Sequence, residues 1–137
     1  MNTEANPVER PLALAVAAQE KRYFEALAAG RFEIPCCDEC SRWHFYPRVV
    51  CPYCGSEDLH WRTPSGLGTV YSTTTVRKND GADYCVCLVD LDEGPRMMST
   101  VCDISPLEVR IGMRVRARIR NVDGGPLLVF QPEGAAA

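Results

Sequence analysis

Cys37 and Cys40 form one Cys-x2-Cys pair, Cys51 and Cys54 form a second, and ten residues lie between the pairs. Two such knuckles can bring four thiolates around one tetrahedral zinc ion, with Zn–S bonds of about 2.3 Å. Gly55, directly after the second knuckle, suits the tight turn that aims backbone N–H groups at the sulfurs. A disulfide pattern and iron in the same ligand set are the competing readings, and the symmetric spacing favours zinc over both. Cys36 offers a rival register with Cys40, a Cys-x3-Cys, but only Cys37 makes the two knuckles alike. Four thiolates close the coordination sphere, so the ion is structural and leaves no open position for water or substrate. On this reading the nearby His44 and His60 are surface histidines.

Of the other cysteines, Cys85 and Cys87 alternate in the apolar run Tyr84–Val89 and share one face of a strand, where they read as small buried hydrophobes. No histidine follows to activate either as a nucleophile. A second chemistry-bearing pattern is Arg114, Arg116, Arg118 and Arg120, which alternate with Met113, Val115, Ala117 and Ile119. A period of two puts the four guanidinium groups on one face of a strand. That face is either a solvated barrel exterior, or a grip on coenzyme A or nucleic-acid phosphates, or a partner to an acidic protein surface.

The elements that must position these groups follow from the rest of the chain. Residues 11–29 are rich in Ala, Leu, Glu and Lys, with Pro11 at the start and Gly30 at the stop; they predict a helical arm with a break near Ala18–Glu20. Leu12, Val16, Phe24 and Leu27 are its apolar anchors, for the chain's own body or for a partner. Between the knuckles, Trp43, Phe45, Tyr46, Val49 and Val50 predict a short hairpin with Pro47 at its turn or edge. So small a ribbon cannot bury a core, and metal ligation supplies on the order of 10–16 kcal/mol in its place. From Gly66 onward, glycine- and aspartate-marked turns separate five β-rich runs, with one helical turn at Ser105–Glu108 between the third and fourth; that is OB-fold order. The fold class is therefore mainly β: an arm over residues 1–35, a rubredoxin-like ribbon over 36–63, and a five-stranded OB barrel over 64–137. The first ten residues and the Gly-Ala-Ala-Ala end read as untied tails.

Composition narrows the function. Fifteen Lys and Arg stand against 18 Asp and Glu, for a net charge of -3. An acidic total does not favour nucleic acid, although a single-stranded nucleic-acid module built from ribbon and barrel, with Tyr71 and Tyr84 as stacking rings, is the alternative to weigh. No run approaches the ~20 apolar residues of a membrane helix. The polar start, with Glu4 and Glu9, is no secretory signal, and the cysteine pattern is that of a reducing compartment, so a cytoplasmic location is expected.

The motif order resembles the acyl-CoA-associated zinc-ribbon/OB-fold proteins, small subunits or appended domains of thiolase-like and hydratase-like enzymes. The matching stretches are Phe24–Leu27 with Gly30-Arg31, Cys37-Asp38-Glu39-Cys40, Phe45-Tyr46-Pro47-Arg48, and Cys51-Pro52-Tyr53-Cys54-Gly55. In the barrel they are Gly66–Ser72, Leu91–Gly94 and Ile111–Val115. Ser41 departs from the glycine the family often has after the first knuckle, with little consequence for ligation. The resemblance implies a non-catalytic, zinc-containing subunit that assembles with a thiolase-like large subunit and helps it hold an acyl-CoA. It further implies Phe24 and Leu27 as docking anchors and Arg114 and Arg116 as contacts to CoA. Within the family, the chain resembles the short stand-alone small subunits of thiolases in aromatic-compound degradation, such as benzoylsuccinyl-CoA thiolase.

Overall fold

The computed structural model describes residues 9–134, with side chains from residue 17 onward. Residues 1–8 and 135–137 of the expected loose ends, and the side chains of Leu12 and Val16, lie outside the described residues; Glu9 and Arg10, expected in the loose end, already belong to the helix. Helix α1 (Glu9–Ala28) runs without the break expected near Ala18–Glu20. It stops at Gly30, whose φ of 84° lets the N–H of Gly30 reach Leu27 O (2.9 Å) and that of Arg31 reach Ala26 O (2.8 Å). These two bonds satisfy carbonyls that the helix end would otherwise leave bare. Tyr23, Ala26 and Leu27 are buried, whereas Phe24 is 42% exposed. The arm thus packs on its own body along one face and presents an aromatic ring on another.

The ribbon is framed by β1 (Ile34–Cys37) and β2 (Leu59–Arg62), paired antiparallel from Ile34↔Arg62 to Cys37↔Leu59. The hairpin expected between the knuckles is absent; a single bridge, Cys36↔Trp43, is the only β pairing in that segment. Both strands flank the knuckles instead. The ten residues between Cys40 and Cys51 form a loop whose Trp43 and Phe45 pack against the shared core.

The barrel comprises β3 (Leu67–Val76), β4 (Tyr84–Leu91), β5 (Arg96–Ser99), a 3-10 turn (Pro106–Glu108), β6 (Arg114–Val122) and β7 (Gly125–Pro132). All pairings are antiparallel, in the order β5-β4-β3-β6-β7. The sheet curls until its ends meet: Val101 and Phe130 form a parallel bridge, with Phe130 N to Thr100 O at 2.9 Å and Cys102 N to Phe130 O at 2.7 Å. The 3-10 turn sits between the third and fourth barrel strands, as an OB fold requires. β3 carries a bulge between Val70 and Ser72, which turns Tyr71 outward. Gly68 has no room for a side chain, since a Cβ there would stand 2.7 Å from Asp90 O and 2.9 Å from Val89 Cγ1.

One core serves all parts. Val70, Val89, Val115, Leu128 and Phe130 of the barrel pack with Tyr23 and Leu27 of α1 and with Phe32 and Ile34 ahead of the ribbon. Cys85 and Cys87 lie inside it, each 1% exposed, as their alternation implied. Burial pushes the Cys87 thiol up to about 11, so it is inert at neutral pH.

Candidate metal centre and apolar groove

The two knuckles repeat one geometry. Ser41 N donates to Cys37 O and Gly55 N donates to Cys51 O, each at 2.9 Å, and both turn residues have positive φ, 62° and 78°. The turns aim N–H groups at sulfur: Cys40 N lies 3.5 Å from Cys37 Sγ and Tyr53 N lies 3.4 Å from Cys51 Sγ. The four sulfurs of Cys37, Cys40, Cys51 and Cys54 lie within 4.8 Å of one another. Cys37 to Cys54 and Cys40 to Cys51 are each 3.6 Å. A tetrahedron with bonds of about 2.3 Å has edges of about 3.8 Å, so these residues fit a four-coordinate zinc. Against the upward push of burial, N–H groups of Cys54 and Tyr53 and the neighbouring thiols bring Cys51 down to about 7. Four thiolates would fill the coordination sphere of a zinc ion and leave it no open position. Cys36 stays out of the group: it is buried, with its sulfur 4.0 Å from Cys37 O.

The two histidines part company. His60 is exposed and pairs with Asp38, which also accepts from Arg62 at 3.1 Å. His44, expected on the surface, is only 2% exposed, and neither ring nitrogen has a hydrogen-bond partner. Burial, helped by the charge of Arg48, holds its imidazole below the usual histidine range. Its backbone N–H bonds to Pro35 O at 3.1 Å, which ties it to β1 and draws the ring inward.

The arginine face of β6 is also changed by its surroundings. Met113, Val115, Ala117 and Ile119 do turn to the core. On the other face Arg114 holds both oxygens of Asp92 (2.7 and 2.9 Å) and also reaches Glu133 (3.3 Å) and Thr69 (3.1 Å). The guanidinium of Arg114 holds the Asp92 carboxyl below the usual carboxylate range. Arg120 pairs with Asp103 at 2.6 Å. Gln131, with its amide turned to suit both neighbours, accepts from Arg118 at 3.0 Å and donates to Asp103 at 3.1 Å. A phosphate would have to displace two carboxylates from Arg114, so the expected CoA contact there is not available in this structure. Arg116 is exposed and makes no ion pair among the described residues. The stacking rings of the nucleic-acid reading stay exposed but each already carries a cation: Arg96, itself held by Asp90 at 2.6 Å, lies 3.4 Å over the Tyr71 ring, and Lys78 lies over Tyr84.

A groove of about 260 Å³ opens where arm, ribbon and barrel meet, and its lining is almost wholly apolar. Phe24 of α1, Tyr46 of the inter-knuckle loop, Met98 of β5 and Leu127 of β7 are 42%, 39%, 71% and 43% exposed at its walls. Tyr23 and Phe45, with ring centroids 5.3 Å apart, join the arm to the loop. Of the two expected anchors, Phe24 faces the groove; Leu27 is 1% exposed and is spent on the chain's own core, so it is no surface anchor. The other walls were not singled out from sequence, although adjacent aromatic pairs, Tyr23-Phe24 and Phe45-Tyr46, were their available signal.

Comparison with known proteins follows the same division. The family model of the ChsH2 rubredoxin-like zinc ribbon domain matches residues 24–60, and that of the ChsH2 C-terminal OB-fold domain matches residues 61–120. A DUF35 domain-containing scaffold protein of Pyrococcus furiosus is 32% identical over 102 residues, 67% of this chain and 75% of that protein. The chain belongs to the DUF35 family. A second DUF35 relative, a scaffold protein of Methanothermobacter thermautotrophicus, is 34% identical over 95 residues, 63% of this chain and 69% of that one. A probable enoyl-CoA hydratase alpha subunit of Thermomonospora curvata is 34% identical over 97 residues, but this DUF35 chain spans only 30% of its length. Among solved structures, one described as an Ltp2-ChsH2(DUF35) aldolase superposes with a TM-score of 0.72 and 28% identity, covering 96% of this chain and 98% of that one.

Proposed function

We propose that this DUF35 chain is a non-catalytic, zinc-containing subunit of an acyl-CoA enzyme complex whose large subunit is thiolase-like and works on β-keto acyl-CoA. The observation that carries this reading is the near full-length likeness to a ChsH2 chain named together with an aldolase, combined with an unfilled apolar groove on this chain. Relatives named as scaffold proteins, and a hydratase subunit that carries the same region within a longer chain, support it. The residues argue against autonomous carbon–carbon chemistry. Cys85 and Cys87 are buried, the ribbon cysteines belong to a closed metal set, and His44 is sealed in the interior. None of these six thiols is left beside a base and an open pocket, as acyl transfer needs, and burial pushes the remaining two, Cys36 and Cys102, above the usual thiol range.

In this reading the zinc is structural, one ion on Cys37, Cys40, Cys51 and Cys54, and the complex acts in the cytoplasm. Phe24 and its neighbours in the groove dock the large subunit. The coenzyme A thioester is bound by the complex, with Arg116 on β6 an exposed arginine that makes no ion pair among the described residues and can meet a phosphate. The test is reconstitution. The isolated chain is expected to show no turnover with acyl-CoA substrates and to restore activity when added to a thiolase-like large subunit from the same source. Robust thiolysis by the isolated chain, or a large subunit fully active without it, would overturn the reading.

A further inference from the structure

Strand β6 keeps one neighbour to its end and loses the other early. β7 pairs with it from Val115 to Val122, whereas β3 pairs only with Arg114–Arg116. The last bond on the β3 side runs from Ala117 N to Gly66 O, at 2.7 Å. Beyond it Thr63, Pro64 and Ser65 stand off from the strand, and a cleft of about 470 Å³ opens between them and the second half of β6. In an antiparallel strand the backbone groups of successive residues face opposite neighbours. Ala117 N faces β3, and Arg114 O faces β7, where it accepts from Glu133 N at 3.0 Å. By that alternation the N–H and C=O groups of Ile119 and Asn121 face the cleft, and none of the four has a hydrogen-bond partner among the described residues. Leu27, Phe32 and Leu128, all buried, form the floor. On the outer face of β6, Arg118 is held by the neutral amide of Gln131 and pairs with no carboxylate among the described residues.

We infer that this edge receives one β-strand of the larger subunit, with apolar side chains turned to Leu27 and Phe32 and acidic ones, alternating with them, beside Arg118. A row of unpartnered N–H and C=O groups matches an extended polypeptide, whose own backbone supplies the reciprocal donors and acceptors. A small molecule offers no such repeat. The alternation follows from the period of two. Inward side chains of the added strand meet the apolar floor, and outward ones lie beside the arginine face, where the opposite charge is favoured. A second copy of this chain does not fit through the same edge. Two edges, each set behind its own Thr63–Ser65 wall, cannot approach to the ~4.8 Å that pairing requires. The edge adjoins the docking groove, since Leu27 and Leu128 line both. That the strand belongs to the larger subunit, unlike the edge itself, rests on the docking reading above.

The experiment measures binding of zinc-loaded full-chain variants to a thiolase-like large subunit from the same source, with hydrogen exchange of the free and bound chain. Asn121→Pro deletes one N–H from the open edge and none from the β7 ladder, and an edge strand tolerates proline. It should bind about tenfold more weakly than Asn121→Ala, which also lacks the amide side chain but keeps the N–H. The Ile119 and Asn121 amides should exchange about tenfold more slowly in the complex. Equal affinity of the two variants, or unchanged exchange, overturns the proposal. So does exchange in the free chain that slows with its concentration, which would put a second copy on the edge. If Asn121→Pro does not fold, Arg118→Glu replaces it and should bind about tenfold more weakly than Arg118→Gln; equal binding overturns the proposal. If the parent captures no large subunit, the docking reading fails, and the peptide acetyl-Val-Glu-Val-Glu-Val-amide judges the edge. It should shift the Ile119 and Asn121 amide resonances at lower concentration than its lysine analogue does. No shift, or equal shifts with both peptides, overturns the proposal.

Discussion

Ser41 and Gly55 occupy the same place in the two knuckles, four residues after the first cysteine of each, and both have positive φ. Glycine adopts that conformation without strain, and a side chain bearing a Cβ does not. Ser41→Gly should therefore stabilise the zinc-loaded chain by about 0.5–1 kcal/mol, read as a shift in the urea midpoint at unchanged zinc content. A shift in the other direction would mean that the serine hydroxyl contributes more than the backbone loses. His44 gives the second prediction at this scale. Its folded pKa is depressed, so the unfolded chain binds the proton first, below about 6.5. Stability is present above that pH and falls as pH drops below it. His44→Leu should flatten the loss of stability with acid; an unchanged slope would show that His44 does not titrate on unfolding.

Among the elements, the barrel was the most legible in the sequence and the ribbon loop the least. Tyr84–Leu91 is a nearly continuous apolar run between two clear turns, and it forms β4 with those bounds. The inter-knuckle residues have strand-like composition but no strand, because Phe45 and Tyr46 gain more by packing on Tyr23 and the barrel than a four-residue hairpin could return. The metal ligands were legible because spacing alone dictates a knuckle. The engagement of Arg114 was not, since Asp92 and Glu133 reach it from turns that are distant in sequence. This difference between neighbouring arginines is testable. Arg114→Ala should lower the thermal midpoint of the free chain, by less at about 1 M salt, where the Debye length is about 3 Å. Arg116→Ala should leave the midpoint alone and raise the acyl-CoA concentration that half-saturates the complex. Equal saturation by the parent and the Arg116 variant would leave that side chain a solvated one.

At the scale of the whole molecule, arm, ribbon and barrel share one interior, and the groove exists only where all three meet. Burial sorts the two residues one helical turn apart that sequence had grouped. Leu27→Ala should destabilise the free chain by about 2–5 kcal/mol, a core truncation. Phe24→Ala should leave folding nearly intact and act on assembly. The central claim is that this chain works by docking on a larger enzyme through that groove. Its most direct measurement is the dissociation constant between the zinc-loaded chain and a thiolase-like large subunit from the same source, for the parent and for Phe24→Ala. The account predicts a stable complex that Phe24→Ala weakens by about 2 kcal/mol, roughly thirtyfold. No complex with the parent chain, or equal affinity for both, would contradict it.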